Sequence, residues 1–303
     1  MPLIECSSSP LVPRLRGLHL FGFDGSPCSQ RVSFTLAEKG VARERSVRWG
    51  DVSEQACKAR DGSYVFHSVS LIRKDHLTAE YAAIQPNMVV PALIHDGRVI
   101  IESMDIVDYL DRTFPDPALV PADPDAAGLM TSLIELGKEL HVSVRYVSFH
   151  WGLGRMGRIG RDGEARIAEL ERADSPEKLL DFYRRYNSDT IDEDTYLHHL
   201  RALESGWGAQ DRRLAGDGRL FLTGNTLSRA DILWAAKVLR IFECGYPFAQ
   251  RFPALNGWFE RVKARPAFQA GVLGPNRAMH RFFRVKSAVT RMFGGGLGRV
   301  AGR

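Results

Sequence analysis

Four cysteines in 303 residues, Cys6, Cys28, Cys57 and Cys244, are too few and too scattered for a disulfide framework, and none pair at C-x-x-C spacing. They read as reduced thiols, so any special one is special through its surroundings. Long apolar runs are missing too: nothing approaches the roughly 18 residues of a membrane span. The opening MPLIECSSSPLVPRLR has no continuous apolar core of a secretory signal, and the default address is cytoplasmic. There is no internal repeat, and no low-complexity stretch beyond Gly294-Gly295-Gly296. Acidic residues are absent from Asn276 onward, where seven basic ones stand (Arg277, Arg281, Arg284, Lys286, Arg291, Arg299, Arg303). Without them the chain has 34 basic against 36 acidic residues, so the net charge of +5 belongs to the tail. The near-neutral body excludes an electrostatic case for nucleic-acid binding. What is present, 44% hydrophobic and 25% charged residues, is an ordinary globular composition with length for two cores.

Leu18 to Phe23 alternates in large side chains, and Glu44 to Trp49 sets Val47 and Trp49 among charges; both predict strands. Between them Pro27 to Lys39 predicts a helix ending at Gly40, giving a βαβ unit. Val89 to Ile94 and Arg98 to Ile101 flank Asp96-Gly97, a strong hairpin signal, and a helix follows from Ser103 to Phe114-Pro115. The expected order is βαβ followed by ββα over residues 17–115, behind a tail of residues 1–16. Residues 50–88 are expected to be a helix plus surface insertion. The proline-rich 116–124 reads as a linker, and strand signals then disappear. Met130, Leu133, Ile134, Gly137, Leu140 and Val144 recur at helical spacing, and Ile232 to Leu239 belongs to a helix apolar nearly all round. With the charged amphipathic stretches Glu164 to Asn187 and Glu193 to Leu214, these predict an all-helical domain over residues 125–275, followed by a basic tail over 276–303.

Gly25-Ser26-Pro27-Cys28-Ser29-Gln30-Arg31 lies where the first strand passes into the first helix, with Ser26 at the N-cap and Pro27 at the first helical position. Helix N–H groups and the positive dipole end then surround Cys28 and Ser29, where a thiolate is favoured over its neutral form. Plain capping, with Cys28 as packing, is the alternative. Val90-Pro91 before a strand is a candidate cis peptide that leaves the Val90 N–H and C=O for an extended ligand. Glu102-Ser103 at a helix start offers an anion site, against the blander account of Ser103 as a cap. Together these would line a groove for a small peptide.

On these motifs, and on Leu222-Thr223-Gly224-Asn225 and Ser228-Arg229-Ala230-Asp231, where the family has a capping box, the chain resembles the cytosolic glutathione transferase superfamily over about residues 17–272. The resemblance implies a thioredoxin-like α/β N-terminal domain, an all-α C-terminal domain, glutathione as co-substrate, a small aromatic electrophile and a homodimer. It implies Ser26, Cys28 and Ser29 as catalytic residues and Val90, Pro91, Glu102 and Ser103 as the glutathione site, with no metal. The S-P-C-S-Q-R-V turn and L-S-R-A-D-I-L-W look most like bacterial glutathione-dependent reductive dehalogenases of chlorinated hydroquinones. Bacterial β-aryl-ether-cleaving enzymes share much of the hairpin pattern.

On the dehalogenase resemblance a thiolate at Cys28 would take the glutathionyl group from a conjugate; the alternative is β-aryl-ether cleavage or simple conjugation by a serine-type transferase, which displaces a leaving group and stops at the conjugate. A non-catalytic binding protein on the same scaffold is the remaining alternative. Tyr146, His150 and Trp151 are candidates for stacking on a phenolic substrate, with core packing as the competing account. Gly152 to Arg161 is Gly- and Arg-rich but follows no strand, which rejects a dinucleotide loop. Phe282, Phe283, Val285, Val289, Met292 and Phe293 among the tail's basic residues fit either a helix docked on the domain with solvated arginines, the favoured reading, or one resting on anionic membrane.

Overall fold

The computed structural model describes residues 3–4, 7–171, 178–216 and 218–301; Cys6, Arg303 and the centre of the 164–187 stretch lie outside them. Two compact units emerge, one of residues 1–113 with 155–191 and one of 114–154 with 192–303.

The first unit is built on a six-stranded sheet. Its strands are β1 (Leu3–Ile4), β2 (Leu18–Gly22), β3 (Ala42–Arg48), β4 (Ser63–Ser68), β5 (Ala92–His95) and β6 (Arg98–Ile101), in the order β1-β6-β5-β2-β4-β3. β4 pairs parallel with β2 and β3, and the other pairings are antiparallel. Helix α1 (Pro27–Glu38) crosses between β2 and β3 and ends where Gly40, at φ +73°, turns the chain. The β5–β6 hairpin turns at Asp96-Gly97, both at positive φ. α3 (Ser103–Thr113) follows, and packs on α1 through the Lys39–Asp111 ion pair at 2.5 Å.

β4 corrects the expectation of a helix and surface insertion over 50–88. Tyr64, Val65, Phe66 and His67 are all buried, because a strand paired on both edges and covered on both faces reads as a continuous apolar run without alternation. Only the short α2 (Ala79–Ala82) is α-helical in that stretch. β3 is displaced to the edge, where its charged residues blunt further pairing. The described residues among 1–16 likewise form no free tail: β1 extends the sheet, and Leu11, Val12 and Leu15 are buried with Phe21, Tyr81, Ile84 and Ile94.

Two histidines stand inside the sheet. His19 on β2 has Nε2 2.9 Å from the Arg16 carbonyl, so that nitrogen donates and Nδ1 accepts from His67 Nε2 at 3.0 Å. The His67 ring stacks on Phe21 at 4.2 Å. Burial lowers the pKa of both, His67 to about 3.

Residues 155–191 carry α6 (Gly160–Leu170) and α7 (Leu179–Asn187), expected within the helical domain. They pack in the first unit, where Ile159, Ile167 and Leu179 cluster with Leu77 and Met88. Helical periodicity shows an apolar stripe but not what covers it.

The second unit is helical: α4 (Pro124–Glu139), α5 (His141–Val147), α8 (Glu193–Gly216), α9 (Arg229–Glu243), α10 (Phe248–Arg251), α11 (Pro253–Ala264), α12 (Pro266–Phe268), α13 (Arg277–Met292) and α14 (Leu297–Val300). α9 is buried nearly all round and runs through the core. A Cβ at Gly137 would collide with the Leu233 side chain, so this glycine lets α4 close onto α9. Asp231 holds the start of α9: its carboxylate accepts from Ser228 N–H and Oγ, Leu222 N–H and Trp258 Nε1 at 2.7–2.8 Å. The basic tail forms α13 and α14, anchored by buried Phe283, Leu297 and Val300.

Candidate active site

Sheet register gathers three loops at one edge. Phe21 opposes Ala92 and Ala92 opposes Ile101, so the turn after β2, the residues before β5 and the residues after β6 lie side by side.

The first loop carries the Ser-Pro-Cys-Ser run. Ser26 is extended at the N-cap of α1, with Pro27 opening the helix, and its hydroxyl makes no capping bond. Cys28, a half-buried thiol, follows in the first turn. Ser29 differs: it is buried, and its Oγ accepts from the Phe23 N–H at 3.1 Å. This hydroxyl belongs to the turn itself. A Cβ on Gly22 would meet Ser29 Oγ at 3.0 Å and the Phe66 ring at 3.1 Å, so glycine is what lets strand and helix approach. Gln30 Nε2 donates to the Asp24 carbonyl at 2.9 Å, and Arg43 grips the Asp24 carboxylate with two bonds, at 2.7 and 3.0 Å. The turn is thus braced from three sides before any ligand arrives.

At the second loop Val90–Pro91 is a cis peptide, and the ladder begins only at Ala92. The neighbouring carbonyls are occupied, Val89 by the Tyr81 hydroxyl at 2.8 Å and Pro91 by Gln85 at 3.4 Å. Val90 itself stands outside the strand pairing.

The third loop starts α3. Glu102 sits at φ +65°, a conformation that turns the chain sharply into the helix; its carbonyl accepts from Ile106 N–H, and its carboxylate accepts from Asn87 Nδ2 at 3.2 Å. Ser103 is buried at the first helical position, and Arg31 Nη1 donates to its Oγ at 2.9 Å. Eight residues on along both helices, Lys39 meets Asp111, so α1 and α3 run parallel with their positive ends at the same edge.

Arg31 is a residue that motif reading passed over. It is 4% exposed, and among the described residues its Nε and Nη2 have no hydrogen-bond partner. A buried guanidinium with two idle donors is costly unless an anion completes it. Two helix N-termini, a serine and this cation together suit a carboxylate. The place of Arg31 one turn beyond Cys28 was visible in the sequence, but that α3 covers this face of α1 was not.

In the second unit the three candidate substrate residues form one aromatic group. Tyr146 stacks on His199 at 4.1 Å, His150 stacks on Tyr196 at 4.0 Å, and Trp151 stands edge-on to His150 at 4.6 Å. Tyr196 and His199 come from α8 and were not singled out by sequence, because aromatics scattered in a charged stretch resemble ordinary helix packing. Ser143 Oγ fixes the His199 ring through Nδ1 at 3.0 Å, and burial lowers the His199 pKa.

Residues 20–118 match the family model described as the glutathione S-transferase N-terminal domain, and residues 177–266 match that of the C-terminal domain. Among curated proteins, glutathione S-transferase Z2 of Arabidopsis thaliana is 23% identical over 259 residues, covering 84% of this chain and 90% of the relative. Maleylpyruvate isomerase of a Ralstonia species is 34% identical over 125 residues, covering 41% of this chain and 49% of the relative. Among solved structures, the β-etherase LigF of Sphingobium sp. strain SYK-6 superposes with a TM-score of 0.68 at 22% identity, covering 83% of this chain and 97% of that one. A theta-class glutathione S-transferase from Xanthomonas axonopodis pv. citri, solved with glutathione bound, superposes with a TM-score of 0.58 at 23% identity over 85% of this chain and 97% of that one.

Proposed function

Because the chain belongs to the glutathione S-transferase superfamily, whose co-substrate is glutathione, we propose that it joins the glutathione thiolate to an electrophilic aromatic carbon, whose leaving group, such as a halide, departs with the electron pair of its bond. The observation that carries this reading is the shared edge of α1 and α3, where buried Arg31 holds Ser103 and keeps two donors idle. An anionic peptide completes it: Ser103 and Arg31 take a terminal carboxylate, Val90 offers its backbone to the extended chain behind Pro91, and Glu102 sets the sharp entry to α3. Glutathione supplies the thiol. The start of α1 and the Ser26 hydroxyl favour the ionised thiol over the neutral one, and Ser29 keeps that turn in place. Tyr146, His150 and Trp151, with Tyr196 and His199, provide the aromatic surface for the electrophile. The working form is a homodimer in this reading.

Cys28 decides how far the chemistry goes. If its thiolate attacks the sulfur of the conjugate, the S–C bond breaks, the carbon leaves with the electron pair and takes a proton, and Cys28 is left as a mixed disulfide. A second glutathione thiolate then reduces Cys28 and leaves as oxidised glutathione, which is the balance of a reductive dehalogenation; ether cleavage needs only the first displacement, which expels the phenolate and leaves the conjugate. With Cys28 idle, the conjugate is the product. Isomerisation is a second reading, favoured by the 34% identity to maleylpyruvate isomerase: the same thiolate would add to a double bond and leave again. Mass spectrometry of products from an activated aryl halide tests the proposal. Wild type and Cys28→Ser should differ, the variant accumulating the glutathione conjugate where wild type releases reduced product. Identical conjugate from both would leave a serine-type transferase, and no glutathione-dependent product would leave a binding protein.

A further inference from the structure

α13 presents two opposite faces. His280, Phe283 and Ser287, spaced i, i+3 and i+7, turn toward the unit: Phe283 is buried under the Arg240 guanidinium, His280 pairs with Glu243, and Ser287 lies against Gly245. Successive helical residues turn by about 100°, which puts Phe282, Val285, Val289 and Met292 on the face directly away from that packing. All four are exposed, and Phe293 at the helix end extends the row; Met292 and Phe293 are 83% and 85% exposed. Arg277, Arg281, Arg284 and Arg291 are exposed along one flank of this row. Five outward apolar side chains in line are more than the scattered surface hydrophobics of a soluble domain.

We propose that the outward face of α13 is a docking surface for an anionic lipid bilayer, with the helix lying in the plane of the interface. The row enters the acyl boundary while the flanking arginines meet the headgroups, the geometry of an interfacial amphipathic helix. A second copy of the chain fits the row less well. Pairing like faces would set arginines against arginines, and from Asn276 to the end no acidic residue stands to neutralise them. An anionic surface supplies the missing charge. The helix does not need to leave the unit to dock, since the row is already outside it.

Co-sedimentation of the full chain with phosphatidylcholine vesicles, with and without phosphatidylserine, tests this. Binding should need phosphatidylserine and fall in high salt. Each basic residue at an anionic surface strengthens binding roughly fivefold, so Arg281→Gln with Arg284→Gln should weaken it roughly tenfold or more. Met292→Glu with Phe293→Glu should abolish it, with thermal melting and glutathione turnover unchanged because both side chains are exposed. Failure to bind phosphatidylserine vesicles, or binding that survives the glutamate pair, overturns the proposal. So does a dimer in sedimentation velocity that the glutamate pair dissociates while vesicles are ignored, which would give the face to a second copy.

Discussion

Arg31 binds Ser103 through one nitrogen while its two other nitrogens have no partner among the described residues, and that imbalance sets what the site should hold. A guanidinium left this way loses much of its hydration without full compensation; a bound carboxylate restores it and gains a charge-assisted bond. Arg31→Gln should therefore raise the dissociation constant for glutathione by tenfold or more, about 1.5–3 kcal/mol, in titration calorimetry. An unchanged constant would return Arg31 to packing between α1 and α3. If the Ser26 hydroxyl acts on the thiolate, as proposed, Ser26→Ala should leave binding nearly intact and slow product formation at saturating glutathione. A rise in KM with kcat untouched would contradict that assignment. At this scale the motifs at Ser26, Cys28, Val90 and Ser103 were readable, since each needs a residue type at a chain position. Arg31 and the inward turn of Ser29 were not, because they depend on which helix covers α1.

Among the elements, α9 and the strand pair β2–β4 carry the sharpest tests. Asp231 satisfies four donors, two of them, the Leu222 N–H and Trp258 Nε1, from outside the helix. Burial raises its pKa while those bonds act to lower it. Asp231→Ala orphans all four donors, so urea unfolding should show a loss of about 3 kcal/mol or more, beyond the cost of a single cap. A loss under 1 kcal/mol would mean that water replaces the carboxylate. The capping box itself was legible in Ser228 to Asp231, whereas the Trp258 contact was not, because it closes between distant segments. β4 was missed for a related reason. Tyr64-Val65-Phe66 has no alternation to betray it, since both faces are covered.

The same pair of strands makes stability depend on acid. His19 and His67 are held neutral by burial when folded, yet in the unfolded chain they protonate near the ordinary value of 6.5. Unfolding at low pH thus takes up protons. The stability that His67 contributes is complete above pH 6.5 and is lost as pH falls toward about 3, at about 1.4 kcal/mol per pH unit. His67→Phe should flatten the decline in urea midpoint between pH 7 and 5 relative to wild type. Parallel declines would show that His67 protonates in place without opening the sheet.

For the whole molecule, the division into a sheet unit and a helical unit was legible from the point where strand signals stop, near Pro115. Where 155–191 would pack was not, because its apolar stripe fits either core until Leu77 and Met88 are seen to cover it. The reading of the protein as an enzyme rests on more than its fold, since a scaffold of this kind could bind glutathione and do nothing further. What distinguishes the two is ionisation of the bound thiol at the start of α1. Ultraviolet difference spectroscopy of the thiolate, followed against pH with Cys28→Ser protein so that only glutathione reports, measures this directly. Bound glutathione should ionise with a midpoint at least one pH unit below that of free glutathione, moved back toward it by Ser26→Ala. Bound glutathione that ionises at the same pH as the free tripeptide would contradict it and leave the chain as a binding protein.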